Sequence, residues 1–195
     1  MKIGVVSDTH GYFDPQLPRL LQGVDDIFHA GDVGSPVVLD QFRAIAPVRA
    51  VRGNIDSAAL RLSPTITRRS GSVEIHMLHE LSRPQSALRD WAQADPLEGK
   101  PAEHCRRFLE SLPEECQVVI FGHSHEPCTL ILEGKLFFNP GSAGKKRFSL
   151  PRCCGLLEIS PQGVHATFLG LERYNEELPA GVWLPIGGAK TCGNC

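Results

Sequence analysis

Seven oxygen and nitrogen donors recur in the sequence, each near the end of an apolar stretch. They are Asp8, His10, Asp32, Asn54, His79, His123 and His125. Carboxylate, amide and imidazole groups of this kind bind catalytic divalent metal ions, and seven exceed the four ligands of a tetrahedral zinc site. None of the seven is a cysteine. The set therefore predicts two ions that share a bridging carboxylate and keep open positions, rather than a closed structural zinc site.

The position of each donor is set by the strand before it. Residues 2–7, 26–30 and 47–53 predict three buried strands, and helical spacing between them predicts two helices. Alternating strands and helices are typical of a parallel sheet, which binds ligands beyond the carboxyl ends of its strands. At least one donor follows each of these strands, so we expect their side chains to meet at one edge.

The second half of the chain predicts strands of mixed direction. A hairpin over 66–78 is followed by five further strand patterns, at 117–121, 128–133, 135–138, 154–160 and 164–170. His79 follows the hairpin, and His123 and His125 follow the next strand. The expected fold class is therefore α/β with mixed sheets.

Two segments fall outside this strand pattern. Residues 84–112 contain two amphipathic patterns, which predict helices that form a wall or lid over the site. Beyond them, we expect one domain over 1–172 and a tail or arm over 173–195, through which the chain could form an oligomer. Cys192 and Cys195 in this tail lack a second pair of metal-binding cysteines, and their role stays open.

Each donor also has an ordinary interpretation. An isolated Asp after a strand is more often a turn residue, and an isolated His is more often a hydrogen-bonded core residue. However, Gly31, Gly53 and Gly122 directly precede three of the donors. Glycine lets the backbone turn sharply and approach a site closely. Ordinary turns would not predict Asp, Asn or His after each glycine, so the pattern favours a metal site.

Composition argues against several classes of protein. The 195 residues carry a formal net charge of −2 at pH 7, which gives no general attraction to nucleic acid. No apolar stretch has the length of a membrane span, and the short apolar start differs from a signal peptide. The seven cysteines, an odd number, favour reduced thiols. We expect a cytoplasmic protein that acts on a small molecule, without sequence-specific nucleic acid or membrane partners.

Taken in order, the motifs resemble those of a known family. Asp-x-His at 8–10, Gly-Asp at 31–32, Gly-Asn at 53–54, a strand-end histidine and Gly-His-x-His at 122–125 resemble the calcineurin-like metallophosphoesterases. The likeness is greatest to their small bacterial and archaeal phosphodiesterases, and Asn-Pro-Gly-Ser at 139–142 adds to it. The resemblance implies a four-layer αββα sandwich with a dimetal site at its strand ends.

The resemblance also implies a role for each donor. One ion would be bound by Asp8, His10 and His125, the other by Asn54, His79 and His123, and Asp32 would bridge both. The catalytic residues would be Asp8, His10, Asp32, Asn54 and His123. The ions would supply a bridging hydroxide for in-line attack on phosphorus. Mn²⁺ is favoured, and Fe, Zn²⁺, Ni²⁺ or Co²⁺ would also suit these donors.

Two departures from the family pattern bear on the reaction. Glu80 stands where glycine usually follows the strand-end histidine. Ile55 stands where many phosphatases of the superfamily have a histidine that protonates the leaving group, and the small phosphodiesterases lack that histidine too. We therefore predict a phosphodiesterase. The alternatives are a phosphomonoesterase acting on nucleotides or phosphoproteins and, less favoured because all seven donors are present, a non-catalytic scaffold.

Three further positions each have both a functional and an ordinary structural interpretation. Lys145 and Arg147, together with Asn54, could bind the substrate phosphate, although a solvated basic turn explains the two cations equally well. His29 could orient a metal ligand, or could simply pack within its strand.

Overall fold

Two mixed β-sheets and a few helices form the fold, which confirms the predicted α/β class. The computed structural model describes residues 1–81, 88, 103–147, 149–171 and 178–186, with only the backbone at 103–106. The strands are β1 (Lys2–Val6), β2 (Asp26–His29), β3 (Val48–Ala50), β4 (Thr65–Ser70), β5 (Val73–Leu78), β6 (Cys116–Ile120), β7 (Cys128–Leu132), β8 (Lys135–Asn139), β9 (Cys153–Ser160), β10 (Gly163–Gly170) and β11 (Val182–Pro185). The helices are α1 (Leu17–Leu20), α2 (Pro36–Arg43) and α3 (Glu103–Glu110), with a 3-10 turn at Ala58–Leu60.

The first sheet has six strands in the order β11-β10-β9-β1-β2-β3. The strands β1, β2 and β3 are parallel, as the strand–helix alternation predicts, whereas β9, β10 and β11 run antiparallel to their neighbours. The helix α2 between β2 and β3 begins directly after Ser35, whose side chain accepts a hydrogen bond from the backbone N–H of Val37. The parallel strands bring their carboxyl ends to one edge of the sheet.

The second sheet has five strands in the order β4-β5-β6-β8-β7. The strands β4 and β5 form the predicted hairpin, and β5, β6 and β8 are parallel. The strands β7 and β8 are joined through Glu133 and Gly134, whose φ angles of 48° and 71° are the positive values that a two-residue hairpin turn requires. Parallel β5 and β6 place His79 and His123 at the same edge.

Three apolar clusters hold four layers together. Between the sheets, Phe28 of the first packs with Phe138 of the second. Outside the first sheet, Phe42 of α2 packs with Ile27, while Phe108 of α3 packs on the outer face of the second sheet. Burial of such a side chain stabilises the fold by about 1.5–3 kcal/mol. The layers therefore follow the predicted αββα order.

Part of the predicted tail is a strand of the first sheet. Residues of β11 pair with β10, Leu184 lying opposite Val164, and the Leu184 side chain is buried. Residues 173–195 have no regular spacing of apolar residues, so their sequence does not predict this strand. Cys192 and Cys195 lie outside the described residues, and the domain boundary at residue 172 stays a prediction.

The segment 84–112 is described only in part. Helix α3 lies where the second amphipathic pattern predicts it, and Phe108 and Leu112 cover the outer face of the second sheet together with Leu88. The rest of the first predicted helix lies outside the described residues, and the lid stays a prediction. Among the helices of the described ranges, none is both long enough and apolar enough to cross a membrane.

Candidate metal centre

The seven predicted donors come together at the shared carboxyl-end edge of the two sheets. The first sheet contributes Asp8 and His10 after β1, Asp32 after β2 and Asn54 after β3, and the second contributes the three remaining histidines. The loops interlock, because Asp8 N–H donates to the Gly31 carbonyl at 3.0 Å and His10 N–H to the Asp32 carbonyl at 2.9 Å. Parallel pairing thus delivers the donors from distant parts of the chain to one place.

The backbone is strained at five of the seven donors. These five have φ angles in the left-handed region: Asp8 (54°), His10 (49°), Asp32 (54°), His123 (68°) and His125 (59°). This conformation costs a non-glycine residue about 1–3 kcal/mol and persists only where surrounding structure imposes it. Such residues cluster at functional sites, so the strain supports this edge as a candidate site.

Asp8, His10 and His125 form a first group of donors. The His125 Nε2 atom lies 3.2 Å from both Asp8 Oδ1 and His10 Nε2, and His10 Nε2 lies 3.9 Å from Asp8 Oδ1. The group can converge on one cation. Burial and, to a smaller extent, the positive charge of Arg147 lower the pKa of His10. Its imidazole is therefore neutral near pH 7, as metal binding requires.

His79, Asn54 and His123 form a second group. The Asn54 Oδ1 atom lies 3.0 Å from His79 Nε2 and 3.1 Å from His123 Nδ1. His79 is buried, and its Nδ1 lies 2.7 Å from the carbonyl oxygen of Ala30. Nδ1–H therefore donates to this carbonyl, and Nε2 is the nitrogen that faces the group. Burial alone would lower the pKa of His79, but its hydrogen bond to Asp32 and the charge of Asp8 raise the pKa, so an ion bound at Nε2 would have to replace a proton.

Asp32 lies between the two groups. One carboxylate oxygen, Oδ2, lies 3.8 Å from His10 Nε2, and the other, Oδ1, lies 3.3 Å from His79 Nε2. Burial alone would raise the pKa of Asp32, but hydrogen bonds from His79 and the Ile55 backbone lower it to about 2. The carboxylate is therefore ionised at neutral pH and faces both groups at once.

One buried atom tests whether the site fits a cation. Asp8 Oδ2 accepts hydrogen bonds from Ser7 Oγ at 2.6 Å and His123 N–H at 3.1 Å. Asp8 Oδ1 is fully buried and accepts no hydrogen bond from any residue in the described ranges. A buried carboxylate oxygen in this state is costly unless a cation binds it. This oxygen faces His125 and His10, so the donor set fits a metal ion.

Known proteins of one superfamily resemble this chain in sequence. The profile of the calcineurin-like phosphoesterase superfamily domain matches residues 1–162. The chain belongs to this superfamily. It is 32% identical over 163 residues to a probable metallophosphoesterase of Methanothermobacter thermautotrophicus, which covers 77% of this chain and 82% of that protein. A phosphodiesterase of Methanocaldococcus jannaschii is 26% identical over 172 residues, 83% of this chain and 89% of that protein.

A solved structure shows the same fold. Vps29 of Entamoeba histolytica, complexed with Zn²⁺, superposes with a TM-score of 0.70 over 94% of this chain and 99% of that one. The sequence identity is 23%, so this likeness concerns the fold alone. The metallophosphoesterase family implies divalent metal ions, and the two groups of donors are where this chain could hold them.

Several supporting residues of this metallophosphoesterase are missing from the sequence-based prediction. Ser7 fixes the Asp8 carboxylate, and Ser142 Oγ donates to the Asp8 carbonyl at 3.0 Å. Asp56 accepts the backbone N–H groups of Gly34 and Gly53, both at 2.8 Å, and so ties two donor loops together. Only adjacency to a motif could have signalled these residues, because their partners are distant backbone groups.

The basic turn after the Asn-Pro-Gly-Ser motif lies beside the first group. Arg147 is close enough for its charge to lower the pKa of His10, and Lys145 Nζ lies 5.8 Å from the centre of the Tyr12 ring. Both cations are exposed. Their predicted contact with substrate phosphate stays a prediction.

The three glycines that precede donors are required by close packing. An added Cβ at Gly31 would lie 2.6 Å from His79 Nδ1, and one at Gly122 would lie 2.8 Å from Asp8 Oδ2. At Gly53, the Cβ would overlap the backbone and carboxylate of Asp32. Each glycine therefore makes room for a donor from another loop.

Replacing Gly53 with alanine should lower the free energy of unfolding by at least about 2 kcal/mol, because the overlap with Asp32 must be relieved by backbone movement. Gly170 is the matched control, since its Cβ would meet Leu178 Cδ1 at an ordinary 3.5 Å. Urea unfolding of both variants measures the effect. Equal stabilities of Gly53→Ala and Gly170→Ala would contradict the packing argument.

His29 is packed within its strand rather than directed at a donor. Its Nε2 lies 2.9 Å from Thr9 Oγ1, its ring meets Phe42 edge-on, and it is fully buried. Burial lowers the pKa of His29 to about 4. Thr9 lies between two donors in the sequence, so this hydrogen bond links His29 to the donor loop.

The free energy of unfolding should fall as the pH falls from 6.5 to 4. In this window the unfolded chain protonates His29, with a pKa near 6.5, while the folded chain does not. The full loss is about 3 kcal/mol. Urea unfolding from pH 4.5 to 7.5, with chelator present, should show a shallower slope for His29→Gln. An unchanged slope would contradict the assignment.

Proposed function

We propose that the protein is a phosphodiesterase that uses two divalent metal ions. The observation that carries the proposal is the position of Asp32, whose two carboxylate oxygens face different groups of donors. A carboxylate placed in this way suits a pair of ions about 3.5–4 Å apart. The phosphodiesterase relative from Methanocaldococcus jannaschii supports the same reaction class.

Each group of donors would hold one ion. In this proposal Asp8, His10 and His125 bind the first, Asn54, His79 and His123 bind the second, and Asp32 binds both. The ions, Mn²⁺ by preference, supply Lewis acidity toward the phosphate oxygens and lower the pKa of water. The chain supplies imidazole ligands, two carboxylates that reduce the charge of the ion pair, and rigid loops that keep these groups in position.

The diester preference follows from Ile55. Its side chain is 48% exposed at the site, and its backbone N–H donates to Asp32 Oδ1 at 3.1 Å. An isoleucine there cannot protonate a leaving group. Diesters and activated esters, whose leaving groups need less protonation, should therefore react better than alkyl monoesters.

Hydrolysis of a phosphodiester and of an alkyl phosphomonoester, measured side by side with each metal, tests the proposal. We expect kcat/KM to favour the diester and to be highest with Mn²⁺. A preference for the monoester would instead support a phosphomonoesterase. Replacement of bound Mn²⁺ by Zn²⁺, Ni²⁺, Co²⁺ or Fe should change the rate without changing this order.

Replacing Ile55 with histidine should raise monoester hydrolysis by about 10²-fold, since one added general acid typically contributes 10²–10⁴-fold. Diester hydrolysis should change little, so the diester selectivity should collapse. Ile55→Gln is the control, because it is polar without being an effective acid. Equal kinetics of Ile55→His and the original protein would contradict this role of position 55.

A non-catalytic scaffold is the rival from another class. Vps29 structures share the fold, but their low identity carries no functional argument here. The buried Asp8 Oδ1 and the shared Asp32 support an enzyme, because a scaffold has no need of either. Protein that binds no metal and hydrolyses neither ester would favour the scaffold.

The proposal also includes the cellular compartment, the partners and the oligomeric state of the protein. Buried thiols at Cys116 and Cys154, whose pKa values are raised by burial, suit a reducing cytoplasm. We propose that the substrate is a small phosphoester and that the protein has no nucleic-acid or membrane partner. Size-exclusion chromatography of the full chain and of a chain ending at residue 186, which keeps β11, would show whether the last residues support an oligomer.

A further inference from the structure

We propose that Glu80 is the positioning residue of His123, an inference that rests on the proposed dimetal function. His123 Nε2 lies 3.6 Å from Glu80 Oε1. The opposite nitrogen, Nδ1, lies 3.1 Å from Asn54 Oδ1 and faces the second group. The two ring nitrogens of His123 therefore face different partners, Nε2 the Glu80 carboxylate and Nδ1 the second group.

The two histidines of the second group differ in how they are held. His79 is buried, and the Ala30 carbonyl fixes its Nδ1 at 2.7 Å. The His123 side chain is 44% exposed, and its ring packs edge-on against His79 with centroids 5.3 Å apart. Packing of this kind fixes the plane of a ring but does not decide which nitrogen carries the proton. Without an ion, Asn54 Oδ1 can accept a hydrogen bond from Nδ1–H. An ion bound at Nδ1 would require the proton on Nε2 instead, and that proton then needs an acceptor of its own.

Glu80 supplies that acceptor. A carboxylate accepts hydrogen bonds only, so it selects the form of His123 that carries its proton on Nε2. Nδ1 then has a free lone pair directed at the second group. The 3.6 Å separation is longer than a direct hydrogen bond, but the Glu80 side chain is 60% exposed and can close it by a small rotation. Glycine at this position would offer no such acceptor.

An acceptor behind a metal-binding histidine fixes the orientation of the ring and the nitrogen that carries its proton. Loss of a partner of this kind typically costs 10–100-fold in metal affinity or activity. Glu80 follows His79 directly, so one short segment provides both a donor of the second group and the acceptor that orients its neighbour. We therefore assign Glu80 an effect on one ion of the pair and not on the other.

Calorimetric titration of the metal-free protein with Mn²⁺ tests this assignment. We expect Glu80→Ala to weaken one of the two binding steps by 10–100-fold and to leave the other within about threefold. Glu80→Gln keeps an acceptor oxygen and should recover most of the lost affinity. Glu115→Ala is the control, because Glu115 is exposed at the opposite end of β6 and should bind Mn²⁺ as the original protein does.

Each outcome decides the proposal. Unchanged Mn²⁺ affinity in Glu80→Ala, while the original protein binds two ions and hydrolyses a diester, overturns the role of Glu80 and leaves the proposed function intact. Equal losses in Glu80→Ala and Glu80→Gln overturn the acceptor role, because charge alone would then explain the effect. An original protein that neither binds Mn²⁺ nor hydrolyses a diester overturns both. Thermal unfolding of the metal-free variants should be unchanged, since Glu80 is exposed.

Discussion

Replacing Asp32 with asparagine is expected to reduce kcat for diester hydrolysis by at least about 10²–10³-fold, or roughly 3–4 kcal/mol in the barrier. Asparagine has nearly the same shape and can still accept the Ile55 N–H at its oxygen, so the loop should keep its conformation. It removes the negative charge and cannot bridge two ions with two oxygens. The substitution should therefore lower the rate of catalysis without unfolding the protein.

A matched substitution separates this effect from a general loss of charge. Asp40 is an exposed aspartate of α2 that pairs with Arg43 on the surface. Asp40→Asn should retain the original kcat/KM, and circular dichroism should show both variants folded. Comparable rates for Asp32→Asn and Asp40→Asn would mean that Asp32 does not bridge ions during the reaction.

Saturation with Mn²⁺ should raise the midpoint of thermal unfolding by about 10 °C. A ligand at about 1,000 times its Kd stabilises the folded state by about 4 kcal/mol, and each kcal/mol shifts a domain of this size by about 2–4 °C. The effect should be large because the first group joins the two sheets, with Asp8 and His10 after β1 and His125 after β6. Binding therefore opposes their separation.

Two histidine variants make the measurement specific. His10→Gln removes a donor and should lose a large part of the Mn²⁺-dependent shift. His165→Gln should keep the full shift, because His165 lies on β10, where it pairs with Glu158 at the surface. Differential scanning fluorimetry with and without chelator provides the readout. Equal shifts in the two variants would show that His10 does not bind the stabilising ion.

The donors could be predicted because the sequence indicates the direction of the strands. Buried strands alternating with helices predict parallel pairing, and parallel pairing places the residues after β1, β2 and β3 at one edge. Asp8, Asp32 and Asn54 therefore had to be neighbours once the strands were recognised. Their side-chain types then indicated the kind of ligand that this edge could bind.

Features that depend on distant partners could not be predicted in the same way. The strand β11 has four residues and owes its conformation to the free edge of β10, so its own sequence shows no clear period. The contact between Glu80 and His123 joins the ends of two strands, and neither local pattern reports it. The left-handed backbone at the donors is imposed by interlocking loops, and although Asp and His tolerate this conformation better than most residues, their sequence alone does not predict it.

The left-handed backbone at five donors has a consequence for the life of the protein in a cell. Without ions, these residues retain their conformational cost and buried charges lack counter-charges, so this edge should be the first part of the described chain to open. Transient opening exposes a chain to proteases in proportion to the population of the open form. Metal starvation would then shorten the lifetime of the enzyme, and its abundance would follow the supply of its cofactor.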